Sequence, residues 1–595
     1  MTSHPFFLNV EQSFLGASWR ERLDAGGLGQ ALALSQHHGL SDLLARVLAG
    51  RGVTVESCSS HMAPTLRALM PDPDTVVDMP AAVERLAAAV TRRERVAVFG
   101  DYDVDGATSA ALLASYLRRA GLDPMVHIPD RVSEGYGPNG PAIGRLAQAG
   151  ATLLVTVDCG TGSPEALTEA RRLGLDTVVI DHHRATAALP PAVAVVNANR
   201  QDDLSGLGHL CAAGMVFMVL VALQRRLKAQ GFWNKRPLPD LLAELDLVAL
   251  GTVADVVPLT GLNRAFVAQG LAVMRDRARP GLRALFDVAG ADGPPTAYHL
   301  GFLIGPRINA GGRIGDAALG ARLLMTDDPV EAARIAADLD RLNRERRVVE
   351  GAAVDEAEAD AILAFAGDAP EGRTVVCAGE SWHPGVVGLV ASRLRERFNR
   401  PCFALAVDGA RATGSGRSIP GVDLGRVVHE AVASGLLIKG GGHAMAAGVT
   451  LMTDRIDAFR AFLDSAVGDA VAQARQAAAL QVDAVLTARA LTTELVGTLD
   501  GAGPFGAGNP EPVIALATHQ LRAVQPVGTD HLRLTVEAGD GARLSAIAFR
   551  SAGTALGEGL RAALGRPVHL AGTLTVNRHG GAGRAELRVL DAALA

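Results

Sequence analysis

The residues best able to do chemistry are acids and imidazoles in four short clusters. Asp101, Asp103 and Asp105 alternate in DYDVDG, Asp158 stands in VTVDCG, His182 and His183 follow Asp181 in IDHH, and Asp255 ends the apolar run LDLVALGTVA. Carboxylates gathered in one place repel one another unless a cation neutralises them, so the clusters point to a bound metal. Oxygen ligands with one or two imidazoles suit Mn²⁺ or Mg²⁺. The ligand set is large enough for two ions, which together activate water and stabilise the leaving oxygen of an in-line displacement at phosphorus. One carboxylate must then bridge both ions, and Asp158 is the candidate. Asp103 and Asp105, two apart in a turn, can aim into one pocket, and Gly106 permits close backbone approach. An isolated D-x-D is usually a turn or a helix cap, and His-His is often a solvated strand end. The combination carries the reading, not any one cluster.

The elements that must position these residues are legible as texture. From Arg95 onward, short β-branched runs (RVAVFG, PMVHIP, TLLVTVD, DTVVID, AVAVVN) alternate with Ala- and Leu-rich amphipathic stretches. That alternation predicts a parallel sheet with crossover helices, whose ligands lie beyond the carboxyl ends of the strands. All four clusters are expected at such strand ends. The segment before about residue 90 reads as helical and shows no chemistry. A charged amphipathic stretch from about Asp328 to Phe365 predicts a connecting helix. A second α/β unit follows, with strands TVVCAG and PCFALAV around the helix VVGLVASRLRERF. The C-terminal part shows period-two alternation in HLRLTVEAG, SAIAF, PVHLAGTLTV and AELRVLDAAL, predicting a small antiparallel barrel of OB type.

Composition bounds the possibilities. A chain of 595 residues exceeds one core and predicts three or four domains, and 48% hydrophobic with 20% charged residues excludes extended disorder. The net charge of −6 argues against coating nucleic acid by bulk attraction but leaves room for a local basic groove. Only three lysines occur, Lys228, Lys235 and Lys439, so nearly every cation is arginine, suited to bidentate phosphate contacts. Cys58, Cys159, Cys211, Cys377 and Cys402 are scattered and never in a C-x-x-C pair, which predicts a reducing cytoplasm and no zinc site. The longest apolar run, residues 210–223, is 14 long, short of the roughly 18 a membrane span needs, and reads as a buried helix. No secretory signal is expected from the start MTSHPFFLNVEQSF.

Taken together, DYDVDG, VTVDCG, DHH and GTVADVVPL resemble the DHH phosphoesterases. The resemblance extends to the single-strand-specific exonuclease branch through LCAAGMVF, GPRINAGGRIGDA, WHPGVVGLVASRLRERFNRP, GSGRSIPGVDL, GGGHAMAAG and PFGAGNPEP, in that order. It implies an α/β architecture. Residues 1–75 form an N-terminal helical segment, 76–327 a parallel-sheet DHH catalytic domain, and 328–366 the connecting helix. A second α/β, DHH-associated domain spans 367–468 and an OB-like nucleic-acid-binding barrel spans 469–595. It implies hydrolysis of single-stranded DNA from a 5′ end to mononucleotides, in DNA repair and recombination, with Mn²⁺ or Mg²⁺. Asp103 and Asp158 would hold one ion, and Asp105, Asp158, His182 and Asp255 the other. Asp101 and His183 would be secondary ligands or hold substrate phosphate. Arg131, Ser415 and Arg417 would recognise the 5′ phosphate and Arg313 a further phosphate. These groups sit in Gly-rich loops, and Gly442 and His443 of the GGGH turn would approach the nucleotide. Trp382 could stack on a base or pack between domains. The expected protein is a cytoplasmic monomer, fed by a helicase and a single-strand-binding protein. Rival readings are a DHH phosphodiesterase acting on short oligonucleotides or cyclic dinucleotides, and a DNA-binding relative without catalysis. Intact acids in all four clusters weigh against the latter.

Overall fold

The computed structural model describes residues 6–131, 133–365, 372–577 and 583–595. The domain boundary expected between residues 366 and 367 therefore lies outside the described residues. The chain forms two compact units, one from Met1–Met70, Val256–Ala268 and Ala478–Ala595, the other from Pro71–Asp255 and Gln269–Ala477. Strand β1 (Ser18–Glu21) belongs to the former.

The second unit opens with a parallel sheet of five strands: β2 (Val96–Gly100), β3 (Met125–His127), β4 (Leu153–Val157), β5 (Asp176–Ile180) and β6 (Ala194–Val196), in the order β3-β2-β4-β5-β6. Each coincides with one of the β-branched runs. The residues of β2, β4, β5 and β6 are buried almost throughout, which is why those runs are apolar without alternation, while the edge strand β3 is half-buried. Helix Val104–Arg119 buries Leu112, Leu113 and Leu117 completely, each contributing roughly 1.5–3 kcal/mol. The apolar run at residues 210–223 lies almost wholly within the buried helix Ala212–Ala229. No helix among the described residues is long and apolar enough to cross a membrane.

The charged stretch is a helix, Pro329–Ala364, capped by the Asp328 side chain at Val330 N. Its buried stripe includes Arg346, which pairs with Glu350 and donates to Asn343 Oδ1 at 2.8 Å. Beyond it β7 (Val375–Gly379), β8 (Cys402–Asp408), β9 (Arg411–Arg417), β10 (Lys439–His443) and β11 (Ala446–Met452) form a mixed sheet ordered β10-β11-β9-β8-β7. Two expectations are corrected here. GSGRS is not a loop: Gly414, Ser415, Gly416 and Arg417 belong to β9, between β8 and β11, and GGGH is strand β10 rather than a turn. Trp382 is buried, 4% exposed, with Nε1 donating to Glu356 Oε2 at 2.8 Å, so of its two readings the packed one holds.

The first unit contains β12 (Ala479–Val482), β13 (Ala484–Leu486), β14 (Ile514–Val527), β15 (His531–Glu537), β16 (Arg543–Ala548), β17 (Pro567–Asn577) and β18 (Arg584–Leu594). Pairing of β14 with both β15 and β17, and of β18 with both β16 and β17, closes a barrel around Leu516, Leu532, Leu534, Val536 and Leu570. The N-terminal helices pack in the same unit, where Leu44, Leu48 and Cys58 meet Leu499 and Ala502. β1 pairs in parallel with β12, and Trp19 Nε1 donates to Asp591 Oδ2 at 3.0 Å.

Candidate active site

The register of the parallel sheet aligns the clusters. Gly100 lies opposite Val157, and Val157 opposite Ile180, so β2, β4 and β5 end level. Asp101, Asp158 and Asp181 are the next residues on each, and all three are buried. Asp103 caps helix Val104–Arg119, its Oδ1 accepting from Gly106 N at 3.0 Å. A Cβ on Gly106 would lie 2.4 Å from Asp101 O, so only glycine permits this turn. Asp105, two residues on in the first turn, reaches the N-terminus of a neighbouring helix, where its Oδ2 accepts from Ala212 N at 2.6 Å and its Oδ1 from Ala213 N at 3.0 Å. Asp158 is held at φ 61°, a left-handed conformation that aspartate and asparagine tolerate better than other non-glycine residues.

Asp255 reaches the site by another route. The run LDLVALGTVA is helix Leu245–Ala254, and Asp255 is its C-cap, so the expectation of a fourth strand end is wrong. The run is apolar because the helix is buried nearly all round.

These side chains converge. His182 Nε2 lies 3.2 Å from Asp158 Oδ1, 3.6 Å from Asp255 Oδ2 and 3.8 Å from Asp105 Oδ2. Three sets of ligand atoms cluster closely enough to share an ion: Asp101, Asp103 and Asp158; Asp105, His182 and Asp255; and Asp158, His182 and His183. Burial, then Asp105, Asp103, Asp101 and Asp255, pushes the Asp158 carboxyl well above the usual carboxylate range. Burial, with Asp105 and Asp103, raises Asp255 to about 9. Asp101 and Asp105 are raised too, chiefly by burial. Without a cation the cluster is electrostatically frustrated. Asp101 Oδ1, Asp158 Oδ1 and His182 Nε2 are buried with no hydrogen-bond partner, although the last two are 3.2 Å apart. Close approach without hydrogen-bonding geometry is what two ligands of one ion show, and the oxygen-rich set fits Mn²⁺ or Mg²⁺.

Residues that the sequence reading did not single out hold the imidazoles in place. Asp181 Oδ1 accepts from His182 N at 2.8 Å and is hydrogen-bonded to His183 Nδ1 at 2.8 Å, and its Oδ2 accepts from Thr161 N at 3.1 Å. Burial opposes charge on His183, yet that bond and the Asp181 charge hold its pKa up to about 9. Asn197 Nδ2 donates to His183 O at 2.8 Å and Asn199 Nδ2 to His182 O at 2.6 Å. Tyr136 Oη donates to Asp158 O at 3.2 Å. The signal for the asparagines is the strand-end rule itself, since Asn197 and Asn199 follow β6 as the acids follow β2, β4 and β5.

Gly251 supports the site by having no side chain: a Cβ would lie 2.7 Å from Asp105 Oδ1 and 2.6 Å from Thr108 Oγ1. Gly251→Ala is expected to displace Asp105 and lower both Mn²⁺ affinity and turnover roughly 10- to 100-fold. Metal titration alongside an activity assay checks this, and unchanged metal affinity contradicts it.

A cationic pocket adjoins the acids. Arg131 lies over the Tyr102 ring, its guanidinium carbon 4.2 Å from the centroid. Arg313, on helix Gly305–Ile314, donates to Gly385 O at 2.9 Å. Arg417 donates to Ser415 Oγ at 2.8 Å. Burial, then the charges of Arg131, Arg346 and Arg417, lowers Arg313 to about 9, and burial with Arg131 and Arg395 lowers Arg417. Among the described residues none of Arg131, Arg313 and Arg417 forms an ion pair with a carboxylate. Mutually repelling, desolvated guanidiniums are the complement of a bound anion. His443 is lowered by burial and then by Arg417, Arg184 and His183, so it feels both the pocket and the acidic cluster. Gly442 has φ 151°, and a Cβ there would lie 2.3 Å from Ala446 O, so glycine is required where the end of β10 crosses β11.

The DHH family, N-terminal domain, matches residues 95–252, the DHHA1 domain residues 371–469 and the RecJ OB domain residues 482–591. The chain is 39% identical over 525 residues to the single-stranded-DNA-specific exonuclease RecJ of Dickeya dadantii, covering 86% of this chain and 89% of that one. It is 32% identical over 567 residues to the same enzyme of Bacillus subtilis, covering 94% of this chain and 69% of that one. The crystal structure of Thermus thermophilus RecJ in complex with Mn²⁺ superposes with a TM-score of 0.78 at 30% identity, covering 95% of this chain and 78% of that one.

Proposed function

Since the chain belongs to the RecJ family of single-stranded-DNA-specific exonucleases, we propose that it hydrolyses single-stranded DNA from the 5′ end, releasing mononucleotides, at a site for two Mn²⁺ or Mg²⁺ ions. The observation that carries this is the unpaired arginine pocket beside the carboxylate cluster. It provides a seat for a terminal phosphate next to the groups that cut the following bond.

Asp103 and Asp158 with Asp101 would hold one ion and Asp105, His182 and Asp255 the other, and Asp158, 3.2 Å from His182 Nε2, would join the second set as the shared carboxylate. When bound, the ions offset the acids' repulsion, favour ionisation of an attacking water and stabilise the oxyanions of the in-line displacement. Asp181 keeps His183 oriented, so His183 can face a phosphate oxygen beside Asp158. Arg131, Arg417 and Ser415 would grip the 5′ phosphate and Arg313 a neighbouring one, while Gly442 lets the backbone leading to His443 approach the nucleotide. The level strand ends and the glycine-packed turns fix these positions before substrate arrives, which is where positioning contributes to rate.

The protein acts in this reading as a cytoplasmic monomer in DNA repair and recombination. A helicase would supply its single strand and a single-strand-binding protein would coat it. Support for that is the chemistry of the substrate, since duplex must be opened before such an enzyme can act.

Arg417→Ala tests the pocket. Loss of a charge-assisted phosphate contact should raise KM for a 5′-phosphorylated strand roughly 10- to 100-fold. A strand with a 5′ hydroxyl should change little. Equal effects on both strands would remove Arg417 from phosphate recognition.

A further inference from the structure

Aromatic residues make up only 4% of the chain, yet Tyr298 and Phe302 stand 50% and 65% exposed. Their rings stack on each other, with centroids 5.1 Å apart and planes 23° from parallel. Tyr298 caps and Phe302 lies within the π-helical segment His299–Ile304, and π turns are rare and concentrate at functional sites. Behind Tyr298 the ring of His299 packs edge-on at 6.1 Å and Phe286 packs on His299 at 6.3 Å, so the exposed pair is backed by a fixed array.

The location gives the pair meaning. A Cβ on Gly301 would lie 3.5 Å from Val253 Cγ1, and one on Gly305 would lie 3.5 Å from Ala254 Cβ and 3.8 Å from Val104 Cγ2. The inner side of the segment therefore rests on the two residues before Asp255 and on the residue between Asp103 and Asp105. Its continuation, Gly305–Ile314, carries Arg313. The stacked rings are carried by the segment that packs beside the acidic cluster and continues into the helix bearing Arg313.

We propose that Tyr298 and Phe302 are a stacking platform for nucleobases of the strand being degraded, a binding subsite beyond the phosphate pocket. It rests on the exonuclease reading. Every base has a π face, so stacking holds a strand without regard to sequence, as an enzyme removing nucleotides one after another requires. The arginine pocket and the acids occupy the terminal nucleotide, and the platform takes bases further along toward the 3′ end.

The test uses the full chain with Mn²⁺ and two 5′-phosphorylated substrates, a dinucleotide and an oligonucleotide of about twenty nucleotides. In the variant Tyr298→Ala with Phe302→Ala, KM for the longer strand should rise roughly tenfold or more, with kcat within about twofold. The dinucleotide, too short to reach the platform, should be cut as before. Quenching of an internal 2-aminopurine on binding should fall in that variant and be retained in Phe302→Trp. Unchanged KM and quenching in the double variant would overturn the platform and leave the rings as a surface for a protein partner. Equal losses on both substrates would overturn it in favour of a structural role. Failure of the unaltered protein to cut either substrate would contradict the exonuclease reading instead, and the quenching measurement, which needs no turnover, would still decide the platform.

Discussion

Replacing Asp158 by asparagine is expected to lower kcat by about 10³- to 10⁴-fold, equivalent to several kcal/mol of metal-derived transition-state stabilisation, while leaving the fold intact. Asp158 belongs to two of the three ligand clusters, so its loss is expected to disturb both proposed ion positions. Asparagine is the informative substitute because the residue sits at φ 61°, a conformation asparagine tolerates and alanine adopts only with strain. The same change should make the metal-free protein more stable. Asp158 is raised by burial and by four neighbouring acids, and a neutral amide removes part of that repulsion. An exonuclease assay and a thermal melt in chelator check the two halves. Retained activity, or a lower melting temperature in chelator, would contradict the site as drawn.

Removing the metal is the second large effect. Chelation is expected to abolish activity and lower the melting temperature, and Mn²⁺ to restore both. At a hundredfold excess over its dissociation constant the ion adds about 2.7 kcal/mol of stability through binding alone. The buried atoms without a hydrogen bond on Asp101, Asp158 and His182 set the sign, since a bound cation would give each of them a partner. Asp158→Asn should lose most of the Mn²⁺-dependent shift. A melting temperature indifferent to Mn²⁺ in the unaltered protein would contradict the ligand assignment even if activity survived.

The two effects also show which parts of the molecule are legible in its residues. The five parallel strands are, because each is a β-branched run and all but the half-buried edge strand β3 are buried almost throughout, and so are the acids that follow three of them. Asp255 is legible as a site residue but not as a helix cap, since a helix buried nearly all round has the same uniform apolarity as a buried strand. The strand β9 is hidden by its glycines. A Cβ on Gly414 would lie 2.3 Å from Leu405 Cδ2 and one on Gly416 would lie 2.4 Å from the Phe403 ring, so packing demands the residue that propensity assigns to a loop. The strand β14, the longest in the barrel, escapes because a register shift between Leu521 and Ala523 breaks its alternation. Asn197 and Asn199 hold the His183 and His182 carbonyls through hydrogen bonds from the end of β6, contacts that exist only once the sheet is assembled, whereas the Asp181 bonds to His182 N and His183 Nδ1 are local.

The rival reading as a DHH phosphodiesterase for short oligonucleotides or cyclic dinucleotides shares the acidic cluster and differs in the substrate. The RecJ OB domain match and the relatives at 32–39% identity favour the polymer-degrading reading. The arginine pocket supports the proposed direction of attack, because beside the acids it offers a seat for a terminal phosphate.

The most direct measurement is digestion, with Mn²⁺, of two single strands identical except that one is blocked at its 5′ end and the other at its 3′ end. The account predicts that the 3′-blocked strand is degraded to mononucleotides and the 5′-blocked strand survives. Equal degradation of both, or cleavage of a cyclic dinucleotide with neither strand touched, would contradict it.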